Sequence, residues 1–339
     1  MKVLEIQVSD DLEERLDVFL SKRLGISRSQ AKNMIQEGLV QLNARPGKAS
    51  ARLKRGDRLQ VSLVEAAPPR LVPQPMDLDI VYEDEEILVL SKPAGLVVQP
   101  GAGHFSATLV HGLLAHCPKI GGVGGEARAG LVHRLDKDTS GVMVVAKTQM
   151  AHDALSRQFS QRRVHKEYLA LVHGRMSQRS GTVETPLGRD RKDPKRISTR
   201  PRKPKEAVSR WELLAWLGTT SWLKVIPETG RTHQIRVHMA SIGHPVVGDP
   251  LYGGKRRLKD LSPDPQKNLL MRVKRQLLHA WSISIEHPSS GERLWFQVPI
   301  PWDMEIVLRD LGLDPTPWLE RNMGVGRGRG MGPSHEALG

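Results

Sequence analysis

The sequence predicts an α+β chain: a mixed, largely antiparallel β-sheet domain preceded by a small helical unit. Three observations carry that prediction. Strand-like runs outnumber helical ones, and short turns join many of them. Two short helices and two small strands come first, as a unit of 70 residues. The stretch APPRLVPQP (Ala67 to Pro75) follows, proline-rich and without periodicity, in the manner of a linker. The boundaries read as a unit over 1–70, a linker over 71–76, a larger domain over 77–312 and an extension over 313–339.

The elements follow in order. LEERLDVFLSKRL places Leu12, Leu16, Phe19 and Leu20 at helical spacing and stops at Gly25. Ser27 caps a second helix, RSQAKNMIQ, which ends near Gly38. VQLN and RLQVSL are the two strands, and Arg23, Arg28 and Lys32 share a basic surface near the helix junction. Beyond the linker, DIVYEDEEILVLSKP reads as strand, acidic turn and strand. TLVHGLLAHC is a helix, VMVVAK a strand and MAHDALSRQFSQRR an amphipathic helix. EYLALVHG, AVSRWELLAWL and SWLKVIPE are strands, THQIRVHMASIG is a helix closed by Gly243, and LLHAWSISIEHP with RLWFQVP forms a final hairpin. GVGRGRGMGPSHEALG, from Gly324, cannot bury a core and reads as disordered.

Composition narrows the function classes. With 339 residues, 39% hydrophobic and 26% charged, the chain can bury substantial cores. No run of about 18 apolar residues exists, which argues against a membrane span. MKVLEIQVSDDLEERL lacks the apolar core of a signal peptide, and Cys117 is the single cysteine, so the cytoplasm is the expected compartment. The net charge of +14 and pI near 10.1 point to a polyanionic partner, first of all nucleic acid. Arg189 to Lys205 alone holds nine basic and two acidic residues. Its three prolines oppose regular structure, so it is expected as a mobile basic loop for phosphate contacts.

Few constellations survive as candidate chemistry. YEDEE (Tyr82 to Glu86) reads as a solvated turn, and GGVGG (Gly121 to Gly125) lacks the residues of a P-loop. His233 and His238 do not share a face of a helix or a strand, which argues against a metal site. GLVHRLDKDTSGVMVVAK (Gly130 to Lys147) is different, because it sets His133, Arg134, Asp136, Lys137 and Asp138 beside an apolar strand. In GRTHQIRVH (Gly230 to His238), Arg236 sits among Ile235 and Val237 and needs an anionic partner. Asp136 is one candidate, since an arginine partner orients a carboxylate for chemistry.

HRLDKDTSG (His133 to Gly141), KEYLALVHG (Lys166 to Gly174), TGRTHQIRVHMASIGHPVVGDPLYGG (Thr229 to Gly254) and RQLLHAWSISIEHP (Arg275 to Pro288) together resemble RluA-type pseudouridine synthases in motif and order. The resemblance spans Asp77 to Met304, and residues 1–70 resemble the αL RNA-binding domain also found in a small-subunit ribosomal protein. DIVYEDEEILVLSKPAGLVVQPGAG and VPIPWDM bring it nearest to the large-subunit branch, type D. The resemblance implies Asp136 as the catalytic carboxylate and Arg236 as its partner. It implies Tyr168 as the ring that stacks on the base and serves in proton removal from C5. It implies Arg134 at the flipped-out nucleotide and Leu277 and Leu278 on the base pocket; Arg231 and His233, in the polar entry to the Arg236 segment, are expected among the RNA contacts.

Such a reaction breaks an N-glycosidic bond and remakes it through C5, with no metal, nucleotide or redox cofactor. The carboxylate has three sensible roles: attack on the sugar, attack on the base, or removal of the C2′ proton. The uracil must leave its stack, so an aromatic face and a basic rim are expected. The implied partner is 23S rRNA or a large-subunit precursor, the target the helix 69 stem-loop, and the chain a monomer. A non-catalytic RNA-binding assembly factor is the competing class, and the joint presence of Asp136, Tyr168 and Arg236 argues against it. The basic loop and the glycine-arginine tail depart from the family pattern without touching these positions.

Overall fold

The computed structural model describes residues 2–9, 13–63, 71–101, 106–125, 128–193, 196–253 and 265–325. Residues 1–70 and 71–339 form two compact units. Leu12, Ala67 to Arg70, and the tail from residue 326 lie outside the described residues.

In the first unit, β1 (Lys2–Gln7) precedes α1 (Leu16–Leu24) and α2 (Arg28–Gln36). The chain continues through β2 (Val40–Leu42), β3 (Arg45–Pro46) and β4 (Arg58–Leu63), in a sheet of order β1-β4-β2-β3. β1 is absent from the sequence reading, although Ile6 and Val8 alternate inward with Glu5 and Gln7 outward. It pairs with β4 along its whole length. Both helices turn Leu16, Leu20, Ala31 and Ile35 onto Val40, Leu59 and Val61. Ser27 and Gln30 close a reciprocal capping box over the start of α2.

The second unit contains β5 (Asp79–Glu83), β6 (Ile87–Lys92), α3 (Leu109–His116), β7 (Ser140–Ala146) and α4 (Gln149–Ser160). Next come β8 (His165–His173), β9 (Ser180–Glu184), β10 (Gly188–Arg189), β11 (Ile197–Ser198), β12 (Val208–Leu217) and β13 (Thr220–Pro227). The described elements end with α5 (Gln234–Ser241), α6 (Pro265–Met271), β14 (Leu278–Glu286), β15 (Arg293–Gln297), α7 (Trp302–Asp310) and β16 (Asn322–Val325). The main sheet runs β5-β6-β7-β14-β8-β13-β12-β9, with β15 and β16 continuing from β14. Its strand pairs are antiparallel except β7 with β14. That parallel contact is close: a Cβ on Gly141 would stand 2.2 Å from the Ala280 carbonyl oxygen, at φ +123°. Only glycine fits there, and the site loop enters the sheet at this point.

Several expectations change. Residues 71–76 are not a free linker: Leu71 packs on the core and the Gln74 N–H donates to the His111 carbonyl at 3.0 Å. Residues 313–325 are not an appended extension. Trp318 is buried edge-on against Trp222, and β16 pairs with β15, so strand pairing orders residues 324 and 325 and the β14–β15 hairpin is not final. The acidic turn is bonded rather than merely solvated, Asp84 accepting from Tyr82 Oη at 2.7 Å and from the Ile87 N–H at 2.8 Å. The basic segment holds the β10–β11 ribbon, closed by two backbone hydrogen bonds between Leu187 and Lys205. Its prolines 201 and 204 flank the ribbon instead of interrupting it, and Pro194 and Lys195 lie outside the described residues.

Candidate active site

The loop before β7 is fixed from beneath by a buried lysine. Lys92, at the end of β6, donates from Nζ to the carbonyls of Pro93, Leu96 and Lys137 at 2.7, 3.0 and 3.0 Å. Burial pushes its pKa down to about 7, against the pull of Asp138 and Asp136. The Thr139 N–H closes a turn onto the Asp136 carbonyl at 3.1 Å, and Arg275 Nη1 donates to the Asp138 carbonyl at 3.1 Å. His133 stacks on Phe159 and accepts from the Val144 N–H through Nε2 at 3.0 Å. Burial, and then the Lys166 charge, takes its pKa down to about 3, so the ring is neutral. Backbone bonds therefore set the position of Asp136.

α5 supplies the cation. Arg236 Nη1 donates to Asp136 Oδ2 at 3.0 Å, while Nε and Nη2 fork onto Asp249 at 2.7 and 3.0 Å. Burial alone would lower the guanidinium pKa, but the bonds and charges of Asp249 and Asp136 raise it. Asp249 Oδ1 also accepts the Leu251 and Tyr252 N–H groups, at 2.8 and 3.1 Å. The Tyr252 ring lies 5.2 Å from the Arg236 guanidinium carbon. Its hydroxyl bonds His233 Nδ1 at 2.7 Å and accepts from the Ile197 N–H of β11 at 3.0 Å, so the basic segment is tied to the site at its root.

Of these parts His133, Asp136, Phe159, His233 and Arg236 line one cleft of about 480 Å³, entirely within the second unit. Arg134, Arg162, Lys166, Arg231 and Arg236 face it against two acids, Asp136 and Glu228. Tyr168, half-buried on β8, lines the same cleft. Burial, and next the Asp136 charge, push its phenol pKa up, which keeps the hydroxyl protonated at neutral pH. That suits a ring platform and an O–H donor better than a proton acceptor.

The expected site residues divide. Asp136, Tyr168, Arg236, Arg134, Arg231, His233 and Leu278 all line the cleft. His233 stands 3.8 Å from Asp136 at Nε2, and burial lowers its pKa. Leu277 does not line it. It is buried with Trp222 and Trp281 in the cluster behind the sheet, because successive strand residues face opposite sides. In the first unit Arg23 and Lys32 are exposed, but Arg28 donates to the buried Asp17 at 2.9 Å and is partly committed to structure. Asp249, Tyr252, Lys92 and Lys166 escaped the sequence reading. Asp249 left one signal, a lone acid in the apolar run HPVVGDPLYGG. Among the described residues no three His, Cys, Asp or Glu side chains converge as a metal site would need.

Comparison with known proteins bears on this arrangement. A family model described as RNA pseudouridylate synthase matches residues 86–241, and an S4 domain model matches residues 14–59. The chain is 40% identical to an uncharacterized RNA pseudouridine synthase, YlyB, of Bacillus subtilis, over 92% of this chain and 99% of that protein. It is 43% identical to the ribosomal large subunit pseudouridine synthase D of Neisseria meningitidis serogroup B, over 88% of this chain and 79% of that one. The solved structure of human RNA pseudouridylate synthase domain containing 1 superposes with a TM-score of 0.50 at 25% identity, over 74% of this chain and 99% of that one. Likeness of that extent, in sequence and in fold, settles the family. This chain belongs to the RNA pseudouridine synthases, isomerases that convert uridine in RNA to pseudouridine, and carries an N-terminal S4 domain.

Proposed function

We propose that the chain isomerises uridines of large-subunit rRNA, with the helix 69 stem-loop as target and Asp136 as the catalytic carboxylate. One observation carries the assignment: a partly exposed carboxylate, bonded to a buried guanidinium, at the floor of a basic cleft beside a tyrosine ring. The sequence likeness to type D synthases and the net charge of +14 support the choice of rRNA.

The residues divide the work. The target uridine leaves its stack and lies against the Tyr168 ring, between that ring and Leu278. Arg134, exposed at the mouth, holds the RNA around the vacated position. Asp136 initiates cleavage of the N1–C1′ bond, and Arg236 fixes the line of approach of its oxygen. The uracil then presents C5 to C1′. The C5–C1′ bond forms, the C5 proton passes to water and N1 takes a proton from water, so composition is unchanged. The protein acts in the cytoplasm as a monomer.

The test uses rRNA from a deletion strain complemented with the wild-type or the Asp136→Asn chain. Carbodiimide-dependent primer extension maps pseudouridine in the helix 69 loop. Stops are expected with the wild type only. Helix 69 stops in the uncomplemented strain would refute the target, and stops with Asp136→Asn would refute the catalytic role.

A further inference from the structure

Lys166 is a second cleft residue with a role of its own. Strand alternation sets Lys166 and Tyr168 on one face of β8, and both line the cleft. Arg236 is neutralised by two aspartates, Arg162 is paired with Glu206, and Arg231 donates to the Glu206 carbonyl. Lys166 is half-buried, and among the described residues its ammonium has neither an ion pair nor a hydrogen bond. The Phe159 ring lies 5.9 Å from Nζ. A cation drawn out of water without an anion is unfavourable unless the working complex supplies one.

We infer that Lys166 binds a backbone phosphate of the RNA next to the flipped uridine and so sets how deep the nucleotide enters. The backbone of Gly230 passes close, where even an added Cβ would stand 4.0 Å from Nζ, so space for a phosphate lies over a residue without a side chain. Burial lowers the ammonium pKa to about 8, consistent with a missing counter-charge. The titratable groups that line the cleft with it include His133 from the loop before β7, Arg162 after α4, Glu228 and Arg231 after β13, and Tyr168 on its own strand. His133 is neutral and Tyr168 stays protonated near neutral pH. Lys166 is thus a positioning residue, and the inference rests on reading this cleft as the active site.

The test titrates the full chain with a target stem-loop across a salt series. Lys166→Met is expected to bind about tenfold more weakly and to lower the salt slope by about 0.7–0.9, one released counterion. Lys166→Arg restores the slope. Two further RNAs carry one uncharged methylphosphonate each, on the 5′ or the 3′ side of the target, with 2′-O-methylated flanking ribose. The wild type should lose affinity for one of them, and Lys166→Met should lose nothing more for that RNA. From pH 7 to 9 wild-type binding should weaken more than that of Lys166→Met; Lys92 is common to both. An unchanged salt slope, additive losses at both phosphates, or a defect confined to kcat would each overturn the inference. Asp136→Asn is run in parallel: if it stays active, the reading of the site fails. If it is inactive yet binds, and Lys166→Met keeps the slope, only the present inference fails.

Discussion

Each unit of this protein is built around a three-charge cluster, and the two clusters have opposite signs inside and out. In the first unit Asp17 is fully buried, and Arg15 and Arg28 bond it with side chains 42% and 53% exposed. Arg15 first, then Arg28, take the Asp17 carboxyl pKa down to about 2 against the effect of burial. In the second unit the cation is inside: Arg236 is 4% exposed, Asp249 fully buried and Asp136 22% exposed. The first arrangement shows solvent two cations and staples the helix pair. The second shows the cleft one fixed carboxylate. A buried charge fixes geometry in both, but only the exposed partner can do chemistry, and that partner is an acid in the second unit alone.

Variants can break that contrast, beginning with the largest effect. Asp136→Asn should cut turnover by at least about 10³-fold while RNA binding persists, measured by tritium release from 5-tritiated uridine in RNA. Asp249→Asn removes the charge behind the Arg236 fork. Turnover should fall about 10- to 100-fold, since a misplaced reacting group loses on that scale, and the unfolding midpoint should fall too.

Deleting residues 1–70 should raise KM about tenfold and flatten its salt dependence, leaving kcat within about threefold. Asp17→Asn should lower stability by about 1–3 kcal/mol in urea titration without altering kcat. The wild-type contribution is present above pH 3.8, the unfolded value, and is lost as pH falls through about 2, so the variant should lack that acid limb. Lys166→Met should give the smallest effect, a gain of up to about 1 kcal/mol near pH 7. The native ammonium titrates near 8 and the unfolded one near 10.5. The penalty is therefore full below 8 and fades toward 10.5, and the gain should vanish there.

The reach of sequence reading differs in the same way between local and non-local features. α1, α2 and the capping box are written in spacing and in Ser27, because a helix is decided by neighbours three and four residues apart. Asp136, Tyr168 and Arg236 stand in family motifs, so they were legible before their contacts were. Leu277 was misplaced although strand alternation forbids two adjacent residues from facing one pocket. β16 and Trp318 were hidden because an edge strand and a buried tryptophan depend on partners 25 or more residues earlier in the chain.

Alone, the sequence determined the family, the two units, the basic character and the carboxylate proposed for the chemistry, Asp136. Tertiary structure decided what that carboxylate can do: it put Arg236 against residue 136, Asp249 behind the guanidinium and Lys92 beneath the loop. Among the described residues it also left the Lys166 ammonium with neither an ion pair nor a hydrogen bond inside the cleft. The reason is physical. A side chain's identity is local, but its burial, its counter-charge and the direction it faces depend on residues that here lie 13 to 100 positions away.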